Sequence, residues 1–398
     1  MEELSRLIFR SAHGDRYLEA RDSDSIVDVC RRYSLPVTQV SVYREGARGQ
    51  LTLQVRPYDR LLDYRGDDMI VVIPNRNIDY HALLGGRDVV RERPDASTWI
   101  RQRADDGDGF VTEYLRPSDA MDLVSAQVAT ALEASGVKDE PLIVGVSGGG
   151  DSNALLEAIV RSGVVAKENI RPVMMLGIPD WDRGWERATA ICDRHGLALR
   201  TVQEDETARI LGFVEPHVDW VTAFERQFPG DDLEVLGVYG VRRVLDAVAQ
   251  EQGARRIVIG SNLEDCLSDT LYYLAAGKVP FPKPVGRMGE VEILYPLWLT
   301  PKSLIDGCFP KFSLQNYEAR YPSRMYGRAY FYYLAQMMVD AYPGAAQDLL
   351  RGSSRLAAEK FDELLNDDEF GTPVAAPIPL DVRVRLRRLF GRQAGGVR

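Results

Sequence analysis

Residues Val144-Gly145-Val146-Ser147-Gly148-Gly149-Gly150-Asp151-Ser152 form a glycine-rich turn that follows an apolar run and opens a helical pattern. Backbone N–H groups at such a turn bind phosphate oxygens, and the absence of side chains lets a nucleotide approach closely. A Walker loop would need a Lys after its last glycine, and a dinucleotide fingerprint would need spaced glycines with an acid downstream. Here three consecutive glycines run straight into Asp151-Ser152. A second cluster, Leu263-Glu264-Asp265-Cys266-Leu267-Ser268-Asp269-Thr270, stands at a helix start directly after the strand-like run Arg256–Asn262. Acids at the end of one strand, facing a phosphate loop at the end of another, can hold Mg2+ against nucleotide oxygens. Asp265 is the candidate for that work, and helix capping by Glu264 or Asp265 is the plainer alternative. Cys266 and Cys308 are candidate nucleophiles or persulfide carriers, set against the ordinary role of a small apolar filler.

The elements that must position these residues alternate along the chain. A helix over Ser118–Ser135 leads into the strand before the glycine turn, and further strands are predicted at Arg171–Ile178, Leu197–Val202 and Arg256–Asn262. Alternation of helix and strand predicts a parallel sheet with its ligand at the carboxyl ends of the strands. The first 80 residues read differently, as strands around Ile8–Arg10 and Arg16–Ala20, a helix over Ser25–Tyr33, and strands at Gln39–Arg44, Leu51–Val55 and Met69–Pro74. Residues 81–117 read as a polar connector containing Leu83-Leu84-Gly85-Gly86 and Asp105-Asp106-Gly107-Asp108-Gly109. From Pro343 a charged helix is predicted over Ala345–Leu365, then Pro373, Pro377 and Pro379 interrupt, and Arg383, Arg385, Arg387, Arg388 and Arg392 make a basic end. That end fits a solvated face or a local RNA contact.

Composition narrows the class. The 398 residues carry 59 acidic against 49 basic side chains, a formal charge of −10, which argues against a broadly basic protein that coats nucleic acid. The four cysteines are dispersed with no CxxC pair, and no long apolar span occurs, so a reducing cytoplasm without disulfides or membrane contact is expected. His13, His81, His195 and His217 show no metal-ligand spacing.

The S-G-G-x-D-S pattern of Ser147–Ser152 resembles the PP-loop of the ATP pyrophosphatase superfamily, whose members cleave ATP between the α and β phosphates. Three further segments lie in the order found in the tRNA 2-thiolation enzymes that work with ubiquitin-like sulfur carriers. Gly260-Ser261-Asn262-Leu263-Glu264-Asp265 resembles their G-H-N-x-D-D, Tyr295–Lys302 their R-P-L-x-x-x-x-E, and Tyr321–Tyr330 their Y-S-P-N-A-Y-R-G-x-x-R. Val238–Arg243 stands where that group has C-G-x-x-R/K-R. The order of elements in residues 1–80 is similar to a β-grasp, the fold of ubiquitin and the small sulfur carriers. Together these resemblances imply an α/β fold: a parallel-sheet PP-loop domain (HUP-like, adenine nucleotide alpha hydrolase) over 118–342, behind an N-terminal α+β β-grasp domain over 1–80. The connector 81–117 and a helical, Arg-rich tail over 343–398 complete the division.

The resemblance also implies roles. Ser147, Gly148, Gly149, Gly150 and Ser152 would cradle the pyrophosphate of ATP, and Leu176 and Gly177 would border the adenine. Asp151 and Asp265 would hold Mg2+, Arg242 would neutralise charge on the α-phosphate or the leaving pyrophosphate, and Cys266 would act as nucleophile. The implied partners are ATP, an acceptor that is a tRNA or a small molecule, a sulfur-carrier protein and a second copy in a homodimer.

Departures from the pattern bear on the chemistry. Val235 and Val238 occupy the positions of the cluster-binding CxxC, the zinc-binding CxxC pairs are absent, and Ser261 and Glu264 replace His and Asp. No iron–sulfur cluster is therefore expected. Gly85-Gly86 lies inside the chain, so it reads as a link rather than an activatable carboxyl end. An adenylating enzyme that activates an oxygen for sulfur transfer, an adenylating ligase with a nitrogen nucleophile, and a degenerate nucleotide-binding scaffold all remain open.

Overall fold

Alternation of Leu7 and Phe9 on one strand, and of Leu18 and Ala20 on the next, turns one face of a hairpin into a core. In the computed structural model this hairpin is β1 (Leu4–Ser11) paired antiparallel with β2 (Gly14–Arg21), from Leu4↔Arg21 to Ser11↔Gly14. The structure describes residues 4–11, 14–33, 35, 37, 40–64, 69–74, 88–103, 110–177, 182–213, 220–227, 233–288, 291–318, 326–341, 344–360, 365–367, 372–374 and 380–390. They divide into two units: Met1–Glu92 with Arg101–Glu113 and Gln336–Ala345, and Arg93–Ile100 with Tyr114–Ala335 and Ala346–Arg398.

In the first unit, α1 (Ile26–Arg32) follows the hairpin, capped by a reciprocal pair in which Ser25 accepts from the Asp28 amide and Asp28 accepts from the Ser25 amide. Next come β3 (Val40–Glu45), β4 (Leu51–Gln54) and β5 (Met69–Pro74). The sheet order is β2-β1-β5-β3-β4, with β1 parallel to β5 and β3 antiparallel to it. Ile26, Val29 and Cys30 of α1 pack with Leu7, Phe9, Leu18, Val42 and Val72.

The expected connector contains strands. These are β6 (Asp88–Arg91), β7 (Thr98–Arg103) and β8 (Phe110–Leu115), in a sheet of order β6-β8-β7 whose β6 and β8 run parallel. Val89-Val90, Trp99-Ile100 and Phe110-Val111 supply β-branched and aromatic residues that the Asp- and Gly-rich surroundings mask in a compositional reading. Gly85-Gly86 and Asp105–Gly109 lie outside the described residues.

The second unit begins its helices with α2 (Pro117–Ala134), which carries Pro in its first turn. It continues through β9 (Leu142–Gly145), α3 (Gly150–Ser162), β10 (Ile170–Met175), α4 (Trp185–Arg194), β11 (Arg200–Val202), α5 (Glu204–Leu211), α6 (Trp220–Gln227) and α7 (Leu233–Glu251). Then follow β12 (Arg256–Val258), α8 (Leu263–Ala275), β13 (Val285–Met288), β14 (Val291–Leu294), α9 (Lys302–Cys308) and α10 (Pro310–Glu318). The sheet order is β11-β10-β9-β12-β14-β13, parallel throughout except for the β13 edge.

Both faces of this sheet are buried, which explains why its strands read as unbroken apolar runs. Leu142 and Val144 of β9 enter one core with Leu155 and Ile159 of α3 and with Val124 and Val128 of α2. Ile143 between them enters the opposite core with Val173, Val244, Val248 and Ile257. Strand order reverses on the two sides of β9, so the carboxyl ends of β9 and β12 flank the crevice where an open α/β sheet takes its ligand.

After α11 (Tyr326–Ala341), α12 (Ala345–Lys360) ends earlier than predicted. Leu365 instead opens β15 (Leu365–Asp367), paired antiparallel with β16 (Thr372–Val374). Arg383, Arg385, Arg387 and Arg388 lie on α13 (Leu380–Phe390), where Arg385 pairs with Asp381, and Arg392 lies outside the described residues. Among the described residues no helix is long and apolar enough to cross a membrane.

Candidate active site

The glycine loop leaves the carboxyl end of β9, and its shape is set by backbone and hydroxyl contacts. Ser147 N donates to Ser152 Oγ at 3.3 Å, Gly149 N donates to Ser147 Oγ at 3.4 Å, and Ser152 Oγ donates to the Gly149 carbonyl at 3.0 Å. Gly148 holds φ at +72°, and a Cβ there would lie 2.1 Å from the Gly184 carbonyl oxygen. Only glycine meets both demands. Arg187 Nε donates to the Gly148 carbonyl at 3.0 Å and pins the loop from α4. Gly149 caps α3, whose first-turn amides have no partners within the helix and carry its positive dipole end. That is the arrangement that binds anions.

Around this turn stand charged groups from two other segments. Asp151, in the first turn of α3, receives Lys302 Nζ at 2.9 and 3.1 Å on its two oxygens and Asn262 Nδ2 at 3.3 Å on Oδ1. Lys302 Nζ also lies 3.2 Å from Asp306 Oδ1 and 3.4 Å from where a Cβ on Gly150 would be. Burial works to lower the Lys302 pKa, but the carboxylates of Asp151 and Asp306 outweigh it and hold the ammonium above its ordinary value. Asn262 joins two acids, because its side-chain oxygen accepts from the Asp265 amide at 2.9 Å while its own amide donates to Asp265 Oδ2 at 3.3 Å. Asp265 is thus the capping partner of α8, the alternative weighed from the sequence, and it stands beside the residue that holds Asp151.

Glu264 is wholly buried and receives the Lys302 amide at 2.9 Å on Oε2 and 3.2 Å on Oε1. Burial pushes its carboxyl up to about 7, so it sits near half-ionisation at neutral pH. Gly260 lets the end of β12 meet the loop helix, since a Cβ there would lie 3.3 Å from the Asp151 carbonyl carbon and 3.4 Å from Ser152 N.

The remaining expected residues fall as follows. Leu176 follows β10 with its amide on the Val202 carbonyl, and the Gly177 amide is held by the Asp182 carboxylate at 3.1 and 3.2 Å. Arg242 is buried on α7, its Nη2 donating to Tyr295 Oη at 3.1 Å and its guanidinium over the Phe281 ring. Cys266 is buried with Sγ directed at the Ser261 carbonyl oxygen, which does not present it as an exposed nucleophile. Cys308 donates to the Leu304 carbonyl, and burial pushes its thiol up to about 12, as it does that of Cys30, and Cys192 to about 11. All four cysteines are free and buried, and among the described residues no three His, Cys, Asp or Glu gather to hold a metal ion. Val235 and Val238 fall on α7, and His195 lies 3.2 Å from Glu157 while the other histidines are outside the described residues.

Lys302, Asp306 and Arg187 went unassigned in the sequence, and Asn262 carried no role of its own. Lys302 had one local signal, a cation at a helix N-terminus, where the dipole disfavours it unless an acid is near.

No protein-family model matches the chain, and no curated protein matches it. Among solved structures, it is similar to the U34-tRNA thiolase NcsA from Methanococcus maripaludis with its 4Fe–4S cluster, at 16% identity and a TM-score of 0.51, covering 72% of this chain and 92% of that one. It also matches an NH3-dependent NAD synthetase from Campylobacter jejuni (16% identity, TM-score 0.35, 62% of this chain and 96% of that one). A third match is NMN synthetase from Francisella tularensis (12%, 0.32, 69% and 92%). The first likeness shows a shared fold, in agreement with the parallel-sheet α/β expectation, and the other two are too distant to argue from.

Proposed function

We propose that this chain is an ATP-dependent adenylating enzyme that splits ATP into AMP and pyrophosphate while activating an acceptor oxygen. The observation that carries the reading is the Ser147–Ser152 loop: hydroxyls folded inward, Gly148 in the left-handed region, free amides at the start of α3, and Asp151 at the mouth. Loop amides would receive the pyrophosphate oxygens, with the Lys302 ammonium beside them. Leu176 and Gly177, at the end of the neighbouring β10, would border the adenine. Asp151 and Asp265, both bound to Asn262, are hard oxygen donors of the kind that hold Mg2+ together with substrate phosphates. When bound, that ion supplies charge neutralisation on the phosphates.

In the proposed reaction the acceptor oxygen attacks the α-phosphorus, the bond from it to the bridging oxygen breaks, and pyrophosphate leaves. The Lys302 ammonium beside the loop would offset charge on the leaving group, a role that the sequence alone assigns to Arg242. A nucleophile then attacks the adenylated carbon and AMP departs. That nucleophile comes from a second substrate rather than from Cys266, since all four thiols are buried and three of them are pushed up to about 11 or 12. Two readings follow. Sulfur transfer from an external carrier is supported by the first unit, whose order β2-β1-β5-β3-β4, with β1 parallel to β5, fits a β-grasp module. A nitrogen nucleophile is favoured by the buried thiols themselves.

The test is pyrophosphate release from Mg-ATP by the purified chain, alone and with bulk tRNA, in a cytoplasm-like reducing buffer. Release that disappears in Asp151→Ala is the expected result. ATP binding without turnover across acceptors and sulfur donors would leave a nucleotide-binding scaffold instead.

A further inference from the structure

A second cationic centre lies at the same edge of the sheet in the second unit. Lys283 is only 7% exposed, yet its ammonium has one carbonyl partner, Phe281 O at 3.2 Å, and one ring, that of Tyr295 at 4.5 Å. No carboxylate pairs with it among the described residues. Arg242, also 7% exposed, donates to the Tyr295 hydroxyl at 3.1 Å and lies 5.0 Å from the centre of the Phe281 ring. The two cations thus share the same two aromatic residues in reciprocal fashion. Tyr295 offers its ring to Lys283 and its hydroxyl to Arg242, while Phe281 offers its carbonyl to Lys283 and its ring to Arg242.

One ring and one carbonyl offset only part of the cost of taking an ammonium out of water, and two of the three Lys283 donors have no acceptor among the described residues. A site that keeps such a charge buried is suited to an anion that arrives from outside. Its place is defined by the strand order. Tyr295 directly follows β14, and β14 is separated from β9 by β12 alone, so the box stands roughly 10 Å along the carboxyl edge from the glycine loop.

We propose that Lys283 and Arg242, braced by Tyr295 and Phe281, form an oxyanion-binding site for the second substrate, taking the carboxylate or phosphate group of the acceptor. The assignment to an acceptor rests on the adenylating reading above, whereas the anion site stands on its own geometry. An ammonium and a guanidinium gathered about the same tyrosine can serve two or three oxygens of one such group. The loop amides and Lys302 already account for the pyrophosphate, and the displacement of two strands leaves the box free for the group that the nucleotide does not supply.

The test compares the native chain with Lys283→Met and Lys283→Arg. ATP affinity is measured first, and then the change in thermal unfolding midpoint on adding inorganic phosphate or acetate to ATP-saturated protein at matched ionic strength. Lys283→Met is expected to unfold at a higher temperature without anion, to keep native ATP affinity, and to bind the added anion about tenfold more weakly or worse. Lys283→Arg keeps the response. Should Lys283→Met fail to fold, Tyr295→Phe, which removes the hydroxyl from Arg242, is expected to weaken the response in the same way. Native anion binding in the variants overturns the site. A loss of ATP affinity, with no response of the ATP-saturated native chain to added anion, overturns the acceptor assignment and gives the box to the nucleotide's own phosphates. If the native chain binds no ATP, the adenylating reading fails, and the anion response measured without ATP still decides the box.

Discussion

Replacing Glu264 by Gln tests the electrostatics of the site without touching its phosphate-binding atoms. Glu264 is wholly buried, and its carboxyl rises from 4.5 to about 7 on folding, chiefly through burial. A carboxyl raised in this way binds its proton more tightly in the native state, so its contribution to stability is complete below pH 4.5 and is lost as pH climbs to 7. The loss amounts to about 3 kcal/mol. Gln cannot ionise, and it keeps one acceptor for the Lys302 amide while burying an extra N–H2 at a cost that does not vary with pH. The expected signature is therefore a slope rather than an offset. The stability of Glu264→Gln relative to the native chain should rise by about 2 to 3 kcal/mol between pH 5 and pH 8. Hydrogen exchange of the α8 amides reads the local opening free energy, and pairing variant with native protein at each pH cancels the intrinsic exchange rate. A difference that stays flat to within about 0.5 kcal/mol, or that falls with pH, would show that Glu264 does not titrate in the neutral range and would refute the burial argument.

Three further outcomes are expected. Gly260→Ala places a methyl against the Asp151 carbonyl carbon and Ser152 N, backbone atoms that cannot rotate aside, so nucleotide affinity should fall about tenfold with little change in unfolding temperature; native affinity measured by calorimetry would mean that the loop shifts freely. Asp265→Asn keeps the acceptor for the Asn262 amide but removes the charge, so stability should hold while the Mg2+ concentration for half-maximal pyrophosphate release rises several-fold; an unchanged Mg2+ requirement would reduce Asp265 to its capping role. Cys266→Ala should cost about 1 kcal/mol in urea unfolding and leave pyrophosphate release intact, and abolition of release in a folded variant would restore the thiol to the mechanism.

What was legible in the sequence is local, and what was not depends on distant pairing. The loop announces itself because consecutive glycines follow a β-branched run, and the helix after Asn262 shows the Asn-x-x-Asp spacing of a reciprocal cap. The strand order around β9 follows from alternation of helix and strand, but the burial of both faces became visible only when Leu142 and Ile143 entered opposite cores. The strands within 81–117 were not legible because they are short and flanked by Asp and Gly. Lys302 meets Asp151 across 151 positions and Asn262 meets it across 111, separations at which no local pattern operates.

These separations lose their meaning at the sheet. The loop, the Gly260–Asp265 segment and the Tyr295–Lys302 segment follow β9, β12 and β14, which are consecutive neighbours in space, so the three carboxyl ends bring together one site. Within it, the parts suited to phosphate are the two serines, three glycines and Asp151 of the loop, with Asn262 behind them. Beyond the loop, Lys302 and Glu264 set the charge beside it, valines stand at 235 and 238 on α7, and the buried Lys283 box lies at the end of β14. On the adenylating reading proposed above, a phosphate-binding loop beside such a surround fits an enzyme whose second substrate sets the outer part of the site. On the same reading the acceptor would be recognised by its anion, at Lys283 and Arg242, before the identity of its nucleophile is known.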